Sequence, residues 1–527
     1  MANVFQRHCV EIVRISLNKA SKIASKLLEL HGCYGCMRED ERLGKAHEAQ
    51  VVRTHYDLEF LFHPRSIALA GISVSDPEHW TRTFFDSLLE FQFEGPIYPV
   101  NPKGGEIGGL KVYPSVEDIP DTVDYAISTV SNRVAPKLVA ECARKGVKAI
   151  HFCTAGFSET GDGEGARLEL ELGRVSRDMG IRIIGPNCMG IYCPESRLSF
   201  DVDFPKESGS VGVLSQSGGN ALAIVKQAIC RGVRFSKVIS YGNACDLSES
   251  DLLEYLTADP NTKIIALYIE GVRDGKRFLR ALDEAAREKV VILLKGGVTE
   301  GGARGAAGHT GSLAGSEVTW DSLCKQLGVI RVHSLEEWAD ALVTFSFMRP
   351  PRGRNVALVG AGGGASVLIA DEFEKRGLKV PELPEEIRSR IGEFTQAAGN
   401  ILRNPIDYSQ TVLETEKLVK TIGIISEWEG IDCVIGFLMA FSRQSLRAGG
   451  LLDRATEGIL EASKAVSKPM AMMFEPRILP EEVNQVFPLM DKFVSSGLPL
   501  YYSFASAANA LNLYLSYEET RARKPRR

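Results

Sequence analysis

From residue 66 to residue 500 the chain keeps returning to short runs in which Val, Ile, Leu and Ala follow one another without polar alternation. Each run passes through a loop of Gly, Ser or Asn into a helical pattern. Ser66-Ile67-Ala68-Leu69-Ala70-Gly71, Val211-Gly212-Val213-Leu214-Ser215, Lys263 to Ile269, Val290 to Leu294 and Asn355 to Gly360 are examples. A strand that faces water on one side alternates; one that does not alternate is buried on both faces, as in a parallel sheet covered by crossover helices. The chain is therefore read as α/β with parallel sheets.

Length and charge narrow this further. At 527 residues and roughly 100–200 residues per domain, about three domains are expected, each large enough for its own core. A net charge of −5 with acidic and basic residues intermixed argues against nucleic acid as a partner. The eleven cysteines are odd in number and irregularly spaced, which suits a reducing cytoplasm rather than a disulfide framework. No stretch approaches the roughly 18 uninterrupted apolar residues of a membrane span, so no membrane partner is expected either.

Residues 1–57 stand apart. Val10 to Leu30 has a helical pattern with Lys19, Lys22 and Lys26 on its polar side, interrupted by Arg14 and Asn18 and so unlike a secretory signal. It reads as a packing helix or an upstream extension of the coding frame. Cys33-Tyr34-Gly35-Cys36 follows, and a single C-x-x-C without a second pair is weak ground for zinc; no metal site is expected on this chain. The basic tail, Arg521 to Arg527, is expected to be short and disordered.

Two groups of residues carry chemistry. Residues 304–315 read Arg-Gly-Ala-Ala-Gly-His-Thr-Gly-Ser-Leu-Ala-Gly, a run of small residues around His309 with Gly308 and Gly311 nearby. Glycines allow close backbone approach and unusual conformations, and a neutral imidazole on a mobile glycine loop is a candidate phosphoryl carrier. A glycine-rich surface turn with an incidental histidine is the plainer alternative. The second group is a set of strand-end loops: Gly71-Ile72-Ser73, Val100-Asn101-Pro102-Lys103-Gly104, Ser128-Thr129-Val130-Ser131, Thr154-Ala155-Gly156-Phe157 and Gly185-Pro186-Asn187-Cys188-Met189-Gly190. Open parallel sheets bind ligands at their carboxyl edge, where glycines and hydroxyls let backbone N–H groups reach phosphates. No full G-x-G-x-x-G is present, which favours a phosphate-bearing ligand other than a dinucleotide.

The order of Tyr98-Pro99-Val100-Asn101-Pro102-Lys103, Thr154-Ala155-Gly156-Phe157, Gly185-Pro186-Asn187-Cys188-Met189-Gly190, Ser215-Gln216-Ser217-Gly218-Gly219 and Gly308-His309-Thr310-Gly311-Ser312 resembles the NDP-forming acyl-CoA synthetases. These are relatives of ADP-forming acetyl-CoA synthetase and of the succinyl-CoA synthetase α subunit, and the resemblance spans about residues 60–515. It implies a Rossmann-like CoA-binding domain over 58–194 and two flavodoxin-like ligase domains over 195–348 and 349–517, with an N-terminal extension over 1–57 and a basic tail over 518–527. It implies an α-type subunit of an ADP-forming acid–CoA ligase. Acyl-CoA and phosphate give acyl phosphate and CoA, the phosphoryl group passes to His309, and the phosphohistidine makes ATP from ADP, each step being reversible. Glu270 is then the carboxylate that orients the imidazole; Ser217, Gly218, Gly219, Gly308 and Gly311 hold phosphate. Gly71, Ser73, Val100, Asn101, Lys103, Thr129, Val130, Thr154, Ala155 and Asn187 contact CoA.

The substrate is a small carboxylic acid. No ATP-grasp domain is recognised after Tyr517, so ATP or ADP with Mg2+ is expected on an ATP-grasp β subunit in a hetero-oligomer. A further departure qualifies the resemblance. The first loop continues Val74-Ser75-Asp76 to Glu78-His79-Trp80, where relatives carry a second glycine and a small residue, which puts the CoA pyrophosphate contact there in question. Glu249 is a weaker candidate than Glu270 and reads as a helix-start acid favoured by the helix dipole. A non-ligase CoA or acyl-CoA binding protein that keeps the scaffold for regulation or another acyl transfer is the alternative function; a binding module would need neither His309 nor Glu270.

Overall fold

A computed structural model describes residues 58–310, 316–360, 363–395, 400–408, 415–438, 451–474 and 483–523. The expected extension helix and the C-x-x-C at Cys33 fall outside these residues, as does Gly311.

The first sheet contains β1 (Ile67–Ala70), β2 (Ile97–Val100), β5 (Tyr125–Ser128), β6 (Ala149–Phe152) and β7 (Arg182–Ile184), with the small antiparallel hairpin β3 (Gly105–Ile107) and β4 (Leu110–Val112) outside it. Its order is β2-β1-β5-β6-β7 and every pairing is parallel. β1, β5 and β6 are buried at every residue, which is the physical content of the missing alternation.

The second sheet is built from β8 (Gly190–Tyr192), β9 (Val211–Ser215), β10 (Phe235–Ser240), β11 (Ile264–Ile269), β12 (Val290–Lys295) and β13 (Ile330–Val332), in the order β13-β12-β11-β9-β10-β8. Only β8 is antiparallel, pairing Gly190–Tyr192 with Ser240–Val238 of β10. The chain before residue 195 therefore supplies an edge strand to this sheet. A third sheet, β14 (Val356–Gly360), β15 (Asn400–Leu402), β16 (Ile406–Tyr408), β17 (Cys433–Leu438), β18 (Met470–Phe474) and β19 (Leu500–Tyr501), has the order β15-β16-β14-β17-β18-β19, with β15 antiparallel.

Leaving aside β8 and β15, each sheet has the doubly wound order 2-1-3-4-5. In such a sheet the order reverses between its first and third strands, and the crevice at their carboxyl ends is the natural ligand site. The fold class read from the strand runs is the observed one. One continuous apolar core joins the first two sheets, running from Phe62, Ile67 and Phe85 to Ile239, Leu267 and Trp338.

Two expectations fail. The run around His309 is not a loop as far as Thr310: Glu300–Thr310 is a helix. Thr299 opens it, its Oγ1 accepting from Gly302 N at 3.1 Å and its carbonyl from Ala303 N at 2.7 Å. Three alanines favour the helix. Its small residues serve close approach, since a Cβ on Gly297, at φ +73°, would lie 3.0 Å from the Cβ of Ala306. The tail is ordered further than expected, the last helix running Phe504–Arg523 because Ala507, Ala508, Leu511 and Leu515 bury one face of it. Among the described residues no helix is long and apolar enough to cross a membrane, and the cysteines are free thiols.

Candidate active site at the carboxyl edges of the first two sheets

The crevice of the second sheet lies between β9 and β11. β9 ends in Ser215, and two residues later Ser217 caps the helix Gly218–Ile229, its Oγ accepting from Asn220 N at 3.3 Å. Ser215 Oγ donates to the Ser217 carbonyl at 2.6 Å and fixes the turn. The first N–H groups of a helix have no intrahelical partner and sit at its positive end, so this start is chemically suited to a phosphoryl dianion. A Cβ on Gly218 would meet Met189 Cγ at 2.7 Å, whereas one on Gly219 would meet nothing nearer than Ser217 Oγ at 3.9 Å. Gly218 is thus required by close packing, and Gly219 leaves the site open.

Across the crevice, Glu270 follows directly on β11 and is 4% exposed. Gln216 spans the gap: its Oε1 accepts from Glu270 N at 2.8 Å and Gly271 N at 3.0 Å. Tyr268 Oη donates to Glu270 Oε1 at 3.0 Å, and burial followed by the Glu270 charge holds that phenol well above its ordinary pKa. Lys295 Nζ donates to the Glu270 carbonyl at 2.7 Å. Burial pushes the Lys295 ammonium down to about 8, against the opposing pull of Glu270. The carboxylate is therefore held through both its backbone and its side chain, as an orienting group requires.

Glu249 is the first residue of the helix Glu249–Ala258, behind the capping box of Ser248 and Asp251. It is not a solvated helix-start acid. It is 1% exposed, its Oε1 accepts from Arg273 N at 3.0 Å, and burial raises its pKa. Gly308 and His309 lie on the helix Glu300–Thr310, which packs against the short turn Ser158–Thr160 at the carboxyl edge of the first sheet. The helix that bears the histidine thus reaches from the second sheet to the edge of the first.

The five loops singled out in the first sheet share that edge, because all five strands are parallel. Gly71 has φ +91°, and a Cβ there would lie 2.8 Å from Val130 N. Only glycine lets the loops after β1 and β5 come together at the reversal point. Thr129 Oγ1 donates to the Ala70 carbonyl at 3.2 Å, and the buried Val100 gives its carbonyl to Gly71 N at 3.0 Å. Asn101 ties two loops, its Nδ2 donating to the Ile72 carbonyl at 2.8 Å and its Oδ1 accepting from Lys103 N at 3.0 Å. Lys103 and Ala155 are exposed.

Thr154 Oγ1 donates to the Val130 carbonyl, and the Thr154 carbonyl accepts from Asn187 N at 2.9 Å. Ser73 is used differently. Its N–H donates to Thr81 Oγ1 at 3.0 Å and its Oγ accepts from Asp76 N at 3.3 Å. The loop that lacks its second glycine is closed by its own hydroxyls.

Sequence reasoning missed the junction between the two edges. Asn243, 1% exposed in the loop after β10, donates through Nδ2 to Glu159 Oε2 at 2.6 Å and to Glu169 Oε2 at 2.8 Å. Its Oδ1 accepts from Asn187 Nδ2 at 3.4 Å. Glu159 also accepts from the backbone N–H groups of Gly156 and Phe157, and Glu169 from Ser158 N at 3.2 Å and Arg273 Nη2 at 3.1 Å. Two buried carboxylates of the first unit are thereby paired to an amide and a guanidinium of the second. Glu159 stands in the quoted loop's extension, but Asn243 and Arg273 become visible only when the two sheets are brought together.

A helix start, a held carboxylate, a histidine-bearing helix and the carboxyl edge of a neighbouring sheet lie together here, and known proteins of this build are CoA ligases. Residues 65–194 match the CoA binding domain and residues 208–345 the succinyl-CoA ligase like flavodoxin domain. The α subunit of acetate–CoA ligase (ADP-forming) II from Pyrococcus furiosus is 37% identical over 460 residues, covering 86% of this chain and 97% of that protein. Acetate–CoA ligase (ADP-forming) I from Archaeoglobus fulgidus is 34% identical over 89% of this chain, which spans 64% of that longer protein. Among solved structures, the dinucleotide-forming acetyl-coenzyme A synthetase 1 of Ca. Korarchaeum cryptofilum in complex with phosphate and ADP superposes with a TM-score of 0.74 at 31% identity, covering 88% of this chain and 98% of that one. The chain belongs to the ADP-forming acetate–CoA ligase family.

Proposed function

We propose that the chain is the α-type subunit of an ADP-forming acid–CoA ligase, interconverting a small carboxylic acid, CoA and ATP with acyl-CoA, ADP and phosphate in the cytoplasm. The observation that carries this reading is the crevice between β9 and β11, where Gln216 fixes Glu270 opposite the helix start at Ser217.

CoA lies along the first-sheet edge, at Gly71, Val100, Asn101, Thr129, Val130, Thr154, Ala155 and Asn187, with the exposed Lys103 free to meet a phosphate. Ser73 shapes its loop rather than lending its N–H. A phosphate oxygen attacks the thioester carbonyl and the CoA thiolate leaves, giving acyl phosphate. An imidazole nitrogen of His309 then attacks phosphorus and the carboxylate leaves; Glu270 holds the other ring nitrogen, and the helix start at Ser217, Gly218 and Gly219 steadies the charge, with Gly308 and Gly311 flanking the carrier. Finally the terminal phosphate oxygen of ADP attacks phosphorus and imidazole leaves. The nucleotide and Mg2+ are assigned to an ATP-grasp β subunit, in keeping with the coverage of a relative that is itself a subunit α.

The test is thioester formation from labelled ATP, CoA and a panel of carboxylates, with and without a co-expressed ATP-grasp partner. Product only with the partner supports the assignment. Failure of every acid with the partner present contradicts it, and product from this chain alone contradicts the placement of the nucleotide.

A further inference from the structure

Lys295 is the last residue of β12 and is 3% exposed. Lysine is almost never buried to this extent, because the ammonium loses its hydration. Here every direction is filled. Nζ donates to the Glu270 carbonyl at 2.7 Å and to the Gly296 carbonyl, and it stands 5.6 Å from the centroid of the Trp320 ring.

The strand ladder does not need this amine. β11 and β12 pair through to Ile269 and Lys295, and Gly296 N closes the ladder on the Ile269 carbonyl at 2.9 Å. Beyond that point the two chains diverge. One turn carries Glu270; the other runs through Gly296 and Gly297 into the helix that bears His309. A single ammonium holds both turns. The approach is close, since a Cβ on Gly296 would lie 2.6 Å from Tyr268 Oη and 3.3 Å from Glu270 Cγ. An apolar side chain of the same length would avoid burying a charge but would take this donor from both turn carbonyls, so the retained ammonium ties the two turns.

We propose that Lys295 is a positioning residue for phosphoryl transfer: its ammonium locks the Glu270 turn to the entry of the His309 helix and supplies a buried positive charge beside Glu270. This rests on the reading of His309 and Glu270 given above. The charged and titratable groups facing it are Glu270 and Tyr268 on β11 and its turn and Arg331 on β13. Arg331 is permanently charged and the Tyr268 phenol is held far above the ordinary range. Lys295 is the group among them that loses its proton near pH 8.

The experiment measures the rate at which acetyl-[32P]phosphate labels the full chain, from pH 6.5 to 9.5, for the unsubstituted protein, Lys295→Met and Lys295→Arg. Lys295→Met is expected to lose on the order of 10²-fold in labelling rate, with the half-saturating acetyl phosphate concentration changed little. The unsubstituted protein should slow above about pH 8. Lys295→Arg, whose charge does not titrate, should recover part of the rate and lose that alkaline limb, a result a purely structural lysine would not give. If Lys295→Met does not fold, the Lys295→Arg profile decides alone. Unchanged rate and profile in the variants overturn the inference while leaving the His309 reading intact. Absence of label on His309 in the unsubstituted protein overturns the reading and the inference together.

Discussion

At the scale of single residues, the candidate site depends on groups that are held rather than merely present. Glu270→Gln keeps a hydrogen-bonding side chain but removes the charge that would orient an imidazole, and a lost orienting contact commonly costs on the order of 10²-fold in rate. Phosphoryl transfer should slow by that order while the melting temperature and CoA affinity stay near their original values; unchanged transfer would make Glu270 structural. A second residue links burial to pH. His151, 1% exposed, hydrogen-bonds through Nε2 to the Cys188 carbonyl at 3.0 Å, and burial holds its pKa down at about 4. Its folded pKa lies below the unfolded 6.5, so between these values the unfolded chain takes up a proton that the folded chain refuses. Stability is full above pH 6.5 and falls as the pH drops toward 4, by on the order of 3 kcal/mol in all. Urea unfolding at pH 7, 5.5 and 4.5 should show a weaker acid loss in His151→Gln than in the unsubstituted chain; parallel losses would count against it. The places of Glu270 and Ser217 were legible, one directly after a strand run and the other at the start of the helix that follows one, while their roles came from the resemblance. Lys295 was not: after five apolar residues it reads as a strand tip reaching water, whereas it is 3% exposed with its ammonium over the ring of Trp320, which is remote in sequence.

At the scale of elements, the strands were legible and their surroundings were not. Unalternating β-branched runs such as Val211–Ser215 and Ile264–Ile269, bounded by turn residues, read as strands buried on both faces, and β9 and β11 occupy those residues. The glycine and alanine run before Thr310 looked like a loop because glycine propensity argues against a helix. Tertiary approach reverses that preference, with Ala306 buried and the helix seated on Ser158–Thr160. The junction of the first two sheets makes a prediction at this scale. Asn243 is the shared donor to Glu159 and Glu169, so Asn243→Ala leaves two buried carboxylates each short of a partner. Removing one member of such a network typically costs about 3–5 kcal/mol. Denaturant unfolding should show a loss of that size, with Asn243→Asp worse because it adds a third carboxylate. A loss below about 1 kcal/mol would mean that the network does not tie the units together.

At the scale of the whole molecule, one doubly wound order occurs three times, and its reversal points place the ligand crevices. That order was not legible in the sequence, because which strand pairs with which is decided by packing between distant segments. β8 illustrates this: Gly190–Tyr192 continues the last loop of the first unit and yet completes the edge of the second sheet. Arg231 links the second and third units: its Nη1 donates to Asp340 Oδ1 at 2.6 Å within the second, while its Nη2 donates to the Leu500 carbonyl of the third at 2.8 Å. The account as a whole stands on a phosphoryl group travelling on His309 between the CoA edge and a nucleotide held by a partner. Its most direct test is to incubate the full chain with acetyl-[32P]phosphate and locate the label, with His309→Asn in parallel. An acid-labile, base-stable label on His309 that is lost in His309→Asn is the expected result. An unlabelled protein, or a label that persists in that variant, would contradict it.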